Sequence, residues 1–385
     1  MFLVVLGSIL ASMHLYVWAR LVKDTTRPGW VRRIGSAIVA GLALLLIATL
    51  ALTRSVDPVI AWPGYLWFGL VAYLFLVLLV LEPLRWVLRR RIRRRPEPQA
   101  LPEAEPDAVN RRLFLARASA VAAGAVSVGV VGVGAATALG PPNVLHVPVR
   151  LRRLDPALSG FRIAVVSDVH LGPLAGRAHT ERIVRMINET SPDLVAIVGD
   201  LVDGTVAQLG PAAEPLRDLH SREGAFFVTG NHEYFVEDTG SWLRELERLG
   251  VQPLRNENTV IRRGSAAFDL AGVNDVAGAS RSDPPDFDKA LDGRDERRPT
   301  VLLAHQPVQV TTAAQRGVDL QLSGHTHGGQ MWPFHYAVRA VQPSLAGLSS
   351  VGDTQLYVSR GAGFWGPPVR VGAPPDISVI SLRQP

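Results

Sequence analysis

The sequence predicts an α/β domain carried behind four membrane-spanning helices, and three observations over its 385 residues support that class. Four apolar stretches crowd the first 140 residues, each near the ~20 residues that a helix needs to cross ~30 Å of hydrocarbon. From about Leu151 short β-branched runs alternate with helical stretches, the pattern of a layered sheet. Charge divides at the same seam: residues 1–150 hold 17 Lys+Arg against 7 Asp+Glu, a balance of +10, while residues 151–385 carry −4. The basic character therefore belongs to the N-terminal third, which makes nucleic acid an unlikely partner of the rest. With no cysteine in the chain, disulfide scaffolds, thiolate zinc sites and cysteine nucleophiles are excluded.

The apolar stretches are Phe2 to Ala19, Gly35 to Thr53, Ile60 to Leu81 and Ala118 to Gly140, and none contains a charged residue. Their loops set the orientation. The first loop carries Arg20, Lys23, Arg27, Arg32 and Arg33, the second only Arg54, and the third ten arginines between Arg85 and Arg117. The positive-inside rule puts the first and third loops in the cytoplasm. Both chain ends then lie outside, so a multi-pass membrane protein with an extracytoplasmic C-terminal domain is expected. Asn110-Arg111-Arg112-Leu113-Phe114-Leu115, ahead of a weakly apolar Ala/Gly/Val run, resembles a twin-arginine export signal. That makes the twin-arginine machinery an expected partner; an arginine cluster anchoring the helix at the headgroups is the alternative. Ala136-Thr137-Ala138 offers a small-residue cleavage site. Pro96 to Asp107, rich in proline and acid, reads as a disordered cytoplasmic linker. The expected organisation is a transmembrane region over 1–140, a linker and lead-in over 141–160 and a folded domain over 161–385.

Within that domain Arg162 to Ser167, Leu194 to Val198, Ala225 to Thr229, Val301 to Ala304 and Asp319 to Ser323 read as buried strands, and His179 to Thr190 and Ser241 to Leu249 as helices. Thr259 to Ile261, Ala266 to Val273, Gln355 to Ser359 and Ile377 to Leu382 add strands, expected in a second sheet. The first five strands all stop at polar residues: Ser167-Asp168-Val169-His170, Gly199-Asp200-Leu201-Val202-Asp203, Gly230-Asn231-His232-Glu233, His305 and Gly324-His325-Thr326-His327. In α/β sheets ligands bind beyond the carboxyl ends of strands, so these five ends are expected to converge. They deliver Asp168, His170, Asp200, Asn231, His305, His325 and His327, hard oxygens mixed with imidazoles, which suit Mn, Fe, Zn or Co better than Ca or Mg. Seven donors exceed one tetrahedral site. Two divalent transition-metal ions sharing a carboxylate resolve the count, and Asp200, on a central strand, is the natural bridge.

These five blocks, in this order and spacing, resemble the calcineurin-like metallophosphoesterase superfamily over most of residues 146–385. The stretches Gly324-His-Thr-His-Gly-Gly-Gln330 and Tyr357-Val-Ser-Arg-Gly-Ala-Gly-Phe-Trp-Gly-Pro-Pro-Val-Arg370 are similar to its membrane-anchored or twin-arginine-exported bacterial members. The resemblance implies a β-sandwich flanked by α-helices. It further implies a first metal on Asp168, His170 and His327, a second on Asn231, His305 and His325, and Asp200 between them. His232 would be the acid facing the leaving group, with Asp203 bonded to it and fixing its tautomer. The implied reaction is hydrolysis of a phosphoester by a metal-bridging hydroxide, without a covalent enzyme intermediate. Gly204 stands where protein Ser/Thr phosphatases carry a phosphate-gripping arginine, which counts against a phosphoprotein substrate.

A phosphodiester or lipid-linked phosphate is the expected substrate. A metal-dependent nuclease and a non-catalytic phosphate-ligand-binding membrane protein are the rivals; the −4 balance speaks against the first and the intact acid and ligand residues against the second. His179, His220 and His335 read as surface or capping histidines, His14 as a polar residue inside a helix and His146 as part of the linker. Trp332, Phe334, Tyr336 and Trp365 read as core packing, ahead of the alternative that they wall an apolar cleft.

Overall fold

A computed structural model describes residues 2–51, 58–94, 107–236 and 238–385. The chain divides into two compact units, Met1–Ala135 and Ala136–Pro385. The first contains helices α1 (Phe2–Trp18), α2 (Trp30–Ala51), α3 (Pro58–Arg94) and most of α4 (Asp107–Leu139). Val5–Lys23, Trp30–Ala51, Val59–Leu88 and Arg111–Leu139 are long and apolar enough to cross a membrane. Two helices outrun the predicted stretches: α3 continues to Arg94, and α4 starts at Asp107, so Arg111 and Arg112 lie in its early turns. The loop with Arg54 and the proline-rich linker up to residue 106 lie outside the described residues.

Val17, Val71, Leu74, Leu78 and Ala123 form the buried seam of this unit. Polar groups pair beside it. Arg20 Nε lies 2.8 Å from Glu82 Oε1, and Arg85 Nη2 lies 3.0 Å from Asp24 Oδ2. The His14 tautomer follows from its neighbours: the Trp67 indole can only donate, and does so to Nε2 at 3.0 Å. Nδ1 therefore carries the proton and donates to the Leu10 carbonyl at 2.7 Å.

The second unit is a sandwich of two six-stranded sheets. One contains β1 (Asn143–Arg150), β2 (Arg162–Val166), β3 (Leu194–Val198), β4 (Ala225–Val228), β5 (Val251–Pro253) and β12 (Asp376–Arg383), in the order β1-β12-β2-β3-β4-β5. The other contains β6 (Glu257–Arg263), β7 (Ala266–Gly272), β8 (Thr300–Leu303), β9 (Leu320–Ser323), β10 (Gly347–Val351) and β11 (Thr354–Val358), in the order β10-β11-β9-β8-β7-β6. Strands β2 to β5 run parallel, as do β7, β8, β9 and β11. Residues 141–160, the expected linker and lead-in, contain β1, which pairs in parallel with β12 over its whole length. His146 is thus an exposed residue of a strand.

Side-chain alternation builds the layers. Along β2, Ile163 and Val165 point into the sandwich interior with Phe268, Leu270 and Leu303, while Ala164 and Val166 face outward with Ile183, Ile187, Trp242 and Leu246. Those last four lie on α5 (Arg177–Glu189) and α6 (Thr239–Arg248), two amphipathic helices. Phe161 meets Phe268 edge to face across the interior, with centroids 5.1 Å apart. Because both sheets bury their parallel strands on two sides, the strands read as continuous apolar runs, and the polar residues at their carboxyl ends stand out.

Candidate metal centre and active site

Each expected ligand sits in the first few residues after a parallel strand: Asp168 and His170 after β2, Asp200 after β3, Asn231 after β4, His305 after β8, His325 and His327 after β9. Tight turns aim them inward. Nine described non-glycine residues have positive φ, and five are Asp168, His170, Asp200, His325 and His327. Each left-handed residue costs about 1–3 kcal/mol, so surrounding contacts must hold the turns in place. They do so with backbone N–H groups. The His325 N–H donates to both Asp168 carboxylate oxygens, at 3.1 and 3.0 Å, and the His232 N–H donates to Asp200 Oδ1 at 2.8 Å.

The donor atoms gather into two groups, Asp168 with His170 and His327, and Asp200 with His305 and His325, and a third grouping of His170, Asp200 and His232 overlaps them. Asp200 Oδ2 faces both: it lies 3.1 Å from His305 Nε2 and 3.9 Å from His170 Nε2. Two ligands at ~2.1 Å from one ion and at right angles stand ~3.0 Å apart. His327 Nε2 lies 3.0 Å from His170 Nε2 and 3.3 Å from Asp168 Oδ1, and His325 Nδ1 lies 2.9 Å from Asn231 Oδ1. His305 supplies the sharpest test of fit. Its Nδ1 donates to the Val198 carbonyl at 2.7 Å, so in a neutral ring the buried Nε2 turns a lone pair on a carboxylate oxygen. Such a pair needs a proton or a metal ion between its members. Burial opposes charge on both, yet Asp200 is held well below the usual carboxylate range by His305 and His232, and His305 well above the usual imidazole range by Asp200. The residues fit two divalent ions.

His232 and Asp203 stand beside these groups. Asp203 Oδ1 accepts from His232 Nδ1 at 2.6 Å and from His170 Nδ1 at 3.0 Å, so one carboxylate orients both the expected acid and an expected ligand. Burial lowers the His232 imidazole, but Asp200 and Asp203 outweigh it and push it up to about 9. Its Nε2, the ring nitrogen not bonded to Asp203, lies 4.0 Å from Asp200 Oδ2.

Three residues without a role in the sequence reading complete the site. Glu233, fully buried, accepts the N–H groups of Gly230, Asp200, Leu201 and Val202 and so ties two ligand turns together. Burial and the Asp200 charge push its carboxyl up to about 7. Arg370, also buried, donates to the carbonyls of Gly363, His327 and Ala373 and to His327 Nδ1. Since arginine only donates, a neutral His327 ring in this arrangement carries its proton on Nε2, and ligation through Nε2 would need that proton moved to Nδ1 and the Arg370 bond to Nδ1 given up. Gln330 donates to the Trp365 and Pro367 carbonyls and accepts from the Trp365 N–H at 3.0 Å.

The aromatic side chains correct the reading as core. Trp332, Phe334, Tyr336 and Trp365 are all exposed, and the Trp365 ring centroid lies 6.1 Å from that of His232. His220 is a surface residue bonded to Asn188, His335 packs on Tyr336, and His179 is partly buried with an inward Nε2.

Comparison with known proteins decides the family. A zebrafish (Danio rerio) transmembrane protein with metallophosphoesterase domain is 34% identical over 400 residues, covering 100% of this chain and 89% of its own. This chain belongs to the calcineurin-like metallophosphoesterases. The calcineurin-like phosphoesterase family model matches residues 161–329, which include every expected ligand. The bovine (Bos taurus) protein of the same description is 41% identical over 263 residues, with 65% of this chain and 59% of that protein covered. An uncharacterized metallophosphoesterase of Helicobacter pylori is 40% identical over 248 residues, covering 63% and 64%. The metallophosphoesterase described here is thus a metal-dependent phosphoric ester hydrolase with four apolar helices of membrane-spanning length.

Proposed function

We propose that the protein is a membrane-tethered phosphohydrolase that holds two divalent transition-metal ions and acts outside the cytoplasm, with phosphodiesters or lipid-linked phosphates as substrates. The observation that carries this reading is Asp200 Oδ2, set between the two donor groups. Asp168, His170 and His327 would hold one ion, Asn231, His305 and His325 the other, and Asp200 both. Two ions held there would lower the pKa of a shared water towards ~7 and offset charge on the phosphoryl oxygens.

The remaining steps belong to the chain's own residues. His232, kept protonated by Asp203 and Asp200, presents Nε2–H to the leaving oxygen and gives up the proton as the ester bond breaks. Asp203 keeps the ring facing outward. The arginines nearest the site are already engaged, Arg370 on carbonyls and His327, and Arg360 on Asp376. A dianionic monoester would lack a guanidinium grip, which favours diesters. Extracytoplasmic placement is supported by the arginine-rich first and third loops. Export by the twin-arginine route remains part of the proposal, resting on Arg111 and Arg112.

The test is to purify the full chain in detergent, quantify bound metals, and compare aryl phosphodiester with aryl phosphomonoester hydrolysis in Mn²⁺ and in chelator. Two ions per chain and faster, chelator-sensitive diester hydrolysis are expected. One ion or none at saturating metal would overturn the dinuclear reading.

A further inference from the structure

Beside the metal-binding turns lies an apolar face that catalysis does not account for. Phe334, Tyr336 and Trp365 are 61%, 64% and 56% exposed, and Trp332 is 53% exposed. Gln330 joins their two segments by gripping the Trp365 N–H and carbonyl, so residues 331–336 and 365–367 form one surface. Its charge is unusual for a net-acidic domain: no Asp or Glu occurs from Leu320 through Gly352, where Arg339, exposed one turn after Tyr336, is the one lysine or arginine.

The same surface adjoins the chain's exit from α4. The last residues of that helix belong to the second unit, and Ala138 there is buried with Ala175 and Phe364, the neighbour of Trp365. Arg182 Nη1 donates to the Leu139 carbonyl at 2.7 Å. Only Gly140, Pro141 and Pro142 separate α4 from β1, about 10 Å of chain at most. Tryptophan and tyrosine favour the headgroup zone of a bilayer, and an anionic lipid surface repels carboxylates.

We propose that Phe334, Tyr336, Trp365 and Trp332 seat in the headgroup layer of the bilayer that α4 crosses, so that the catalytic site opens at the depth of lipid phosphates. This rests on the reading of α4 as a membrane span. It also gives the lipid-linked substrate a physical basis, because a phosphoester would reach His232 without leaving the membrane surface.

The absence of cysteine allows single-cysteine spin labelling of the full chain in liposomes of phosphatidylethanolamine and phosphatidylglycerol. Nitroxides at Phe334→Cys and Tyr336→Cys, both at exposed positions, are compared by power saturation with one at Arg222→Cys, which precedes β4 at the opposite end of the strands, and one at Val128→Cys on α4. The expected result is oxygen accessibility exceeding that of a nickel chelate at 334, 336 and 128, and the reverse at 222. Labels at 334 and 336 as nickel-accessible as at 222 would overturn the proposal, as would dipolar broadening between copies at 334, which would mark a dimer face. A water-exposed label at 128 would overturn both this proposal and the span beneath it. Depth is read without turnover, so an inactive protein with buried labels would sink the hydrolase reading alone.

Discussion

Asp203 is the residue on which the proposed metal binding and proton transfer meet, since its Oδ1 accepts from both His170 and His232. In Asp203→Asn the acceptor oxygen stays but the charge that holds both rings is lost, so metal affinity at the first site should fall about 10–100-fold by titration. The pH profile should change as well. Asp203 helps raise the His232 pKa, and a general acid is lost as pH rises through that value, so the alkaline limb of the rate should move to lower pH. An unmoved limb would separate Asp203 from the acid. His232→Ala should leave metal content intact and slow turnover by about 10²–10⁴, most for poor leaving groups. Equal slowing across aryl leaving groups of different pKa would remove His232 from that role. In Asp200→Asn the charge facing both donor groups disappears, and fewer than two ions per chain should survive gel filtration.

At the scale of elements, Asp168 is wedged between two turns that admit no side chain. A Cβ on Gly324 would come within 1.8 Å of Ser167 Oγ and 2.4 Å of Asp168 Oδ2. One on Gly361 would come within 2.5 Å of Asp168 Cβ, at a φ of +80°. Gly361→Ala should therefore cost about 3 kcal/mol, from overpacking and left-handed strain together, read as a lower midpoint in thermal unfolding with metal present. A neutral substitution would mean that the turn relaxes away from Asp168. The strands ending in ligands were legible because an apolar run stopping at Asp, Asn or His is a local signal. Strand β1 was not: Pro148 and its mostly exposed residues resemble a linker, and its partner β12 lies more than 200 residues away. Polar β10 and the three-residue β5 carry no periodic signal either. Glu233, Arg370 and Gln330 act through backbone groups distant in sequence, which spacing alone does not reveal. The exposed aromatics were misread because their composition suits a core as well as an interface.

For the whole molecule, the orientation drawn from loop arginines predicts thiol accessibility. In intact cells a membrane-impermeant maleimide should label Arg222→Cys, and should reach Gln99→Cys only after permeabilisation. The opposite pattern would turn the catalytic domain towards the cytoplasm and end the extracytoplasmic reading. The proposed metal ligands span Asp168 to His327, so loss of either flank of that interval would spare them in sequence while removing the strands that frame the sandwich.

One such strand governs when the protein can become whole. The final strand lies between β1 and β2, making the chain's last residues an interior plank of their sheet. Until β12 is in place, β1 has no partner and the first sheet stays open between β1 and β2, so this half of the sandwich closes only across a separation of more than 200 residues.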